Sequence, residues 1–216
     1  MNEPVTPETL LSERVYHQLL DMILRRDLPL GSVLHERRIS EMLKVSRTPA
    51  REALNRLESE GIVVREAGRA LVLRGLSTRE LIEALNVRRL LEGEAAYHAA
   101  GRIPEADLLA VEEAIHALLA KTAPRPDEDW AIDNLLHGAI ADHSGNALLA
   151  RMIGDLRLKT HMFNVERIPE RFRIGHGEHL QIVAALRRGD QAESRHLVET
   201  HIENVKKSII ALLAAI

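Results

Sequence analysis

The run LHERRISEMLKVSRTPAREALNRLESEGIVVREAG, from Leu34 to Gly68, decides how the chain is read. Ile39, Met42 and Leu43 recur at helical spacing and Val45 follows them, which predicts a short helix with one apolar stripe. Ser46 offers a side-chain oxygen as the cap of a second helix, and Pro49 falls in its first turn, where a missing N–H costs nothing. A second helix therefore starts near Arg47. Ala53, Leu54 and Leu57 form its buried face, which leaves Arg47, Thr48, Arg51 and Asn55 on the other. Gly61 ends it. Ile62 to Arg65 and Ala70 to Leu73 then read as a hairpin around Ala67, Gly68 and Arg69. Two helices, a tight turn and a small hairpin make a winged helix-turn-helix. Its second helix enters the DNA major groove with the N-terminal residues at the bases, because the groove is wide enough for one helix. Arg47 and Arg51 stand where that geometry needs donors.

On these residues, and above all on the run from Ser46 to Gly61, residues 12 to 76 resemble the DNA-binding domain of the GntR family of bacterial transcription regulators. The preceding segment VYHQLLDMILRRDLPLGSVLHE fits the same pattern, with Val15, Leu19, Met22 and Ile23 on one face of a first helix capped by Ser12. Similarity to the FadR members implies that Arg37, Arg47, Thr48 and Arg51 contact DNA and that Gly68 sits at the wing tip. Pro49 and Ala67 depart from residues found at those places in some members, a second threonine and a wing histidine. The operator sequence does not follow from the resemblance.

The 216 residues divide most naturally into two modest domains, each long enough to bury a core. Hydrophobic residues make up 45% and charged residues 28%, as in soluble globular proteins, and no segment approaches the ~20 apolar residues of a membrane span. The N-terminus lacks the basic start and apolar core of a signal peptide, so a cytoplasmic location is expected. With no cysteine, disulfides, thiolate metal sites and cysteine nucleophiles are excluded. The net charge of −3 is unevenly spread: Glu36 to Arg56 carries six Lys/Arg against three acids. Phosphate affinity follows local cations, so an acidic remainder does not oppose DNA binding.

Residues 1 to 11 show no apolar period and read as a flexible leader. A domain boundary is placed between Arg74 and Ser77, where Ser77 and Glu80 have capping-box spacing. Beyond it the sequence predicts six helices and no strand, which makes the fold class mainly α: a winged helix-turn-helix followed by an all-α antiparallel helical bundle over residues 77 to 216. The starts are expected at Ser77, Pro104, Asp127, Asn146, Pro169 and Gln191, with a proline-containing linker at residues 122–126. The arrangement of Arg88 to Glu92, Asp133 to His137, Ser144-Gly145-Asn146, Glu178-His179, Gly189-Asp190 and His201 resembles the FCD domain of FadR-type regulators, in its shorter VanR-like form.

That resemblance directs attention to four residues. Asp133 and His137 lie four apart, on one face of a helix. His179 and His201 flank the Gly189-Asp190 turn by about ten residues each, so an antiparallel helix pair brings them level, on the order of 15 Å from it. Imidazoles with one carboxylate suit a divalent metal, Zn²⁺, Ni²⁺ or Mn²⁺, with zinc foremost. His176 and His161 could support that set or replace a member of it. The chain lacks H-E-x-x-H, G-x-S-x-G and a Gly-rich phosphate loop, so it is not read as an enzyme. The resemblance implies instead a small carboxylate effector at the metal, with Arg88, or else Arg89 or Arg157, as the partner of a second carboxylate. Two-fold recognition of a near-palindromic double-stranded operator implies a homodimer. The sequence leaves two other readings open: the metal is itself the effector, or the bundle docks a protein and its histidines are structural.

Overall fold

The computed structural model describes residues 7–66, 70–162 and 169–214. The chain divides into two compact units, with the main break between Leu76 and Ser77. In the first, α1 (Pro7–Leu24) and α2 (Glu36–Leu43) pack on α3 (Arg47–Ser59), which also meets a sheet of β1 (Val33–Leu34), β2 (Val63–Glu66) and β3 (Ala70–Leu73), ordered β1-β3-β2. The core is the apolar periodicity made solid. Val15, Leu19 and Ile23 of α1 are buried, as are Ala50, Ala53, Leu54 and Leu57 of α3. At the end of α3 the Tyr16 hydroxyl donates to Glu60 (2.7 Å) while the Arg56 guanidinium lies 3.8 Å from the Tyr16 ring centroid.

Four expectations are corrected here. Helix α1 starts at Pro7, not after Ser12, so residues 7–11 belong to it rather than to a flexible leader. Proline in a first turn is preorganised for a helix. Ser46 holds the N-cap position of α3, but its side chain makes no cap hydrogen bond. A cap oxygen reaches the second or third N–H of a helix, and the third residue is Pro49, which has none. Met42 is 38% exposed, at the solvent edge of the α2 stripe that Ile39 anchors at 1%. Strand β1 was not expected. It is two residues long and forms only by pairing antiparallel with β3, Val33 opposite Val72 and Leu34 opposite Leu71. The hairpin itself runs Val63↔Leu73 to Glu66↔Ala70, and its tip, with Gly68, lies outside the described residues.

The second unit holds six helices among the described residues: α4 (Thr78–Ala99), α5 (Glu105–Leu119), α6 (Pro126–Asp142), α7 (Ala147–Met162), α8 (Pro169–Arg188) and α9 (Gln191–Ala214). Helix α4 opens with the full capping box: Glu80 N–H donates to Ser77 Oγ at 3.2 Å, and Ser77 N–H donates to Glu80 Oε2 at 2.8 Å. Helix α9 packs against both α4 and α8, α8 also against α5, and α6 lies against α4 and α5. Two glycines bring the α4–α5 and α8–α9 turns into contact. Gly101 (φ 74°) donates its N–H to Leu186 O at 2.9 Å, and a Cβ on it would stand 3.3 Å from the Cα of Gly189 (φ 69°). No described helix is long and apolar enough to cross a membrane.

Candidate metal centre and DNA-facing surface

Helix α6 supplies Asp133 and His137, α8 supplies His179 and α9 supplies His201. One potential ligand atom from each lies within 4.8 Å of all the others. His179 Nε2 and His201 Nε2 are 3.2 Å apart, and Asp133 Oδ1 lies 3.5 Å from His179 Nε2 and 3.7 Å from His137 Nε2. Ligand atoms on a sphere of ~2.1 Å around a metal sit about 3.0 Å apart at right angles and about 3.4 Å apart tetrahedrally, so these separations suit one ion. The four side chains expected from the sequence are therefore together.

The protein also orients them. His201 Nδ1 is 2.8 Å from Glu178 Oε2, and His137 Nδ1 is 2.5 Å from Glu92 Oε2. At His201 the carboxylate accepts a hydrogen bond from the Nδ1–H and leaves the Nε2 lone pair facing the centre, the usual bracing of a metal-binding histidine. Glu178 is itself held by Arg171 and by Asn204 Nδ2, which donates to it at 2.8 Å. Buried Arg157 donates from Nη2 to Asp133 Oδ2 at 2.7 Å, which leaves Oδ1 for the histidines, and its guanidinium lies 5.2 Å from the Trp130 ring. His137 Nδ1 and Nε2, Glu92 Oε2, His179 Nδ1 and Arg157 Nε and Nη1 are buried without a hydrogen-bond partner, so Glu92 stands close against His137 Nδ1 without an aligned hydrogen bond.

Electrostatics keep the set ready for a cation. Burial, then the charge of Arg157, pushes the His137 pKa down, and burial, then His201, pushes His179 well below its usual value, so both rings are neutral. Burial alone would raise Asp133, but the Arg157 guanidinium beside it holds it well below the usual carboxylate range. Glu92 likewise resists its burial through Arg88 and His137 and stays ionised. Burial opposes ionisation of Glu178 too, yet hydrogen bonds from His201, Arg171 and Asn204 bring its pKa to about 2.

Arg88 stands apart from the four. It donates to Glu92 (2.7 Å) and to Thr160 Oγ1 (2.8 Å), and only 11% of its side chain is exposed. The bracing carboxylates were not foreseen from the sequence. Glu92 could have been: it shares the inner stripe of α4 with Leu81, Leu85 and Ala96, all buried, and an acid in such a stripe needs cations around it. His176 is buried and pairs through Nε2 with Asp129 Oδ1 at 2.7 Å, rather than joining the four.

On the winged unit, Arg47 and Arg51 are exposed on α3 and form no ion pair among the described residues, while Thr48 is half-buried. Arg37 is exposed beside Glu41 at 3.8 Å. Arg65, by contrast, is tied by two hydrogen bonds to Glu58, at 2.7 and 3.0 Å.

Comparison with known proteins bears on both units. Residues 83–204 match the FCD domain, and residues 11–73 match the gntR family of bacterial regulatory proteins. The Uxu operon transcriptional regulator of Escherichia coli K12 is 29% identical, over 92% of this chain and 86% of its own length. The Glc operon transcriptional activator of the same strain is 26% identical, over 92% and 87%. Among solved structures, E. coli McbR/YncC superposes with a TM-score of 0.81 at 24% identity, covering 94% of this chain and 98% of that one. A putative GntR regulator from Rhodococcus sp. RHA1 gives 0.75 at 22%, covering 93% and 97%; both show the shared fold.

Proposed function

The chain belongs to the FCD-domain transcription regulators of the gntR family, and from that premise we propose that a small organic acid, bound at a divalent metal in the helical unit, controls its affinity for an operator. The observation that carries this is the convergence of Asp133, His137, His179 and His201, with carboxylates behind two of the histidines. Zinc is the metal we assign first, since three imidazoles and one carboxylate suit it; nickel and manganese share the donor preference. A divalent ion held by Asp133, His137, His179 and His201 would supply a Lewis-acid centre able to take up a carboxylate. The chain's own residues do the rest. Glu178 fixes the tautomer of His201, Glu92 puts its charge against His137, Arg157 fixes Asp133, and burial excludes water from three of the four donors.

We propose Arg157, rather than Arg88, as the partner of a second carboxylate on the effector. Arg88 would have to leave Glu92 and Thr160, whereas Arg157 has two nitrogens without hydrogen-bond partners beside the centre. We propose that DNA is held as a homodimer on a near-palindrome through Arg37, Arg47, Thr48 and Arg51, with Gly68 at the wing tip. The direction proposed is repression, released by the acid.

The test begins with the metal content of the purified protein. Operator affinity is then followed by fluorescence anisotropy at fixed salt, with and without each member of a panel of aliphatic acids. About one ion per chain is expected, and one acid should change operator affinity roughly 5- to 150-fold, the span of ordinary allosteric coupling. His179→Ala should lose that response. If metal alone produces the whole change, the metal is the effector; if neither metal nor acid matters, the histidines are structural.

A further inference from the structure

The Asp133–His179 pairing is repeated one turn away on the same two helices. Asp129 precedes Asp133 by four residues on α6, and His176 precedes His179 by three on α8, so each pair lies on one helix face. Asp129 Oδ1 and His176 Nε2 are 2.7 Å apart. The His176 side chain is 3% exposed, its ring stands edge to face with His179 at 5.4 Å, and its Nδ1 is buried without a hydrogen-bond partner. Phe172 packs on it at 4.9 Å.

Exposure gives the arrangement a direction. The Asp129 and Asp133 side chains are 30% and 27% exposed, whereas those of His137, His179 and His201 are 0%, 4% and 6%. The two carboxylates are therefore the part of the arrangement most open to water. A single aspartate and a single imidazole displace few waters from a divalent cation and hold it weakly; four donors displace more and hold it tightly. The step between the two pairs is one helical turn, about 5.4 Å.

We propose that Asp129 and His176 form an outer divalent-cation site, an entry station from which the ion passes to Asp133, His137, His179 and His201. The proposal rests on the metal reading above. A station that lies on the path but not at its end speeds loading and unloading together and leaves the equilibrium unchanged.

The experiment is stopped-flow zinc uptake by the metal-free full-length protein, read against a fluorescent zinc indicator, for wild type, His176→Asn and Asp129→Asn. Asp129 is part-exposed, so its variant keeps the test available if His176→Asn melts early. Both variants should take up zinc about tenfold more slowly, the lower end of the rate gain a charged, lined entry provides. Their equilibrium zinc affinities should stay within about threefold of wild type, so release slows in proportion. Uptake at the wild-type rate in both variants would make the pair a clamp between α6 and α8 and overturn the proposal. So would a tenfold loss of affinity with unchanged uptake, which would make His176 a resident ligand. Wild-type protein that takes up no zinc, nickel or manganese overturns the metal reading itself, a result distinct from either.

Discussion

Glu178→Gln tests whether the metal centre is organised from behind. Glu178 touches no potential ligand atom at the centre itself; it acts through His201, whose Nδ1 lies 2.8 Å from Oε2. The glutamine keeps the shape and an acceptor but removes the charge. It also offers an amide N–H₂ that can turn the wrong way, against Arg171 or the ring. Since Arg171 and Asn204 already saturate the other side of Glu178, the carboxylate has little freedom to be replaced by a neighbour. Loss of such a bracing partner weakens metal binding by about 10- to 100-fold, or roughly 1.4–2.7 kcal/mol. Zinc affinity measured by competition with a chromophoric chelator gives the number directly. The deficit should be the same at every pH above 6.5, because Glu178, with a pKa of about 2, does not titrate there. A dissociation constant within about threefold of wild type would refute the reasoning and leave the Glu178 contact a matter of packing.

Further outcomes follow from other contacts. Glu92→Gln leaves Arg88, Arg157 and His137 around a neutral group at a site 1% exposed, and urea unfolding should show a loss of about 3–5 kcal/mol, the usual result of breaking a buried ionic cluster. Arg47→Ala and Arg51→Ala should each cost about 1–3 kcal/mol of operator binding in anisotropy titrations, whereas Arg65→Ala, whose guanidinium is already tied to Glu58, should change it little. Ser77→Ala should cost about 0.5–2 kcal/mol through the lost cap of α4, again by urea unfolding. Stability of the metal-free protein should fall as pH drops below 6.5, because the unfolded histidines take up protons there while His137 and His179, with lowered folded pKa values, do not. Asp133 adds a second loss below 3.8, where its unfolded form is protonated and its folded form still ionised; a flat melting temperature from pH 8 to 5 would contradict the histidine part.

What could be read from the chain was what local rules determine. The α3 stripe of Ala53, Leu54 and Leu57, the Ser77 capping box and the Gly189 turn each depend on residues close in sequence, and the structure has them all. The four candidate ligands were legible through the resemblance to the FCD domain; the four-residue spacing and the hairpin around Gly189 said only that such residues can meet, and Asp133, His137, His179 and His201 do lie together. Strand β1 was not, since two residues carry no period and their pairing with β3 is fixed by tertiary contact. Nor were the Glu92–His137, Glu178–His201 and Asp133–Arg157 pairs, each joining two different helices at sequence separations no pattern encodes. Ser46 shows the converse: a local rule failed because a second local fact, the missing N–H of Pro49, removed its partner.

The contact between Gly101 and Gly189 gives α4 the mechanics of a lever. It pins the C-terminal end of the helix against the α8–α9 turn, while Glu92, against His137, lies seven residues before Ala99 and Thr78 lies twenty-one before it. At 1.5 Å per residue those arms are about 10 Å and about 31 Å. A tilt about the glycine fulcrum therefore carries Thr78, next to the junction with the winged unit, roughly three times as far as the carboxylate that braces the metal centre.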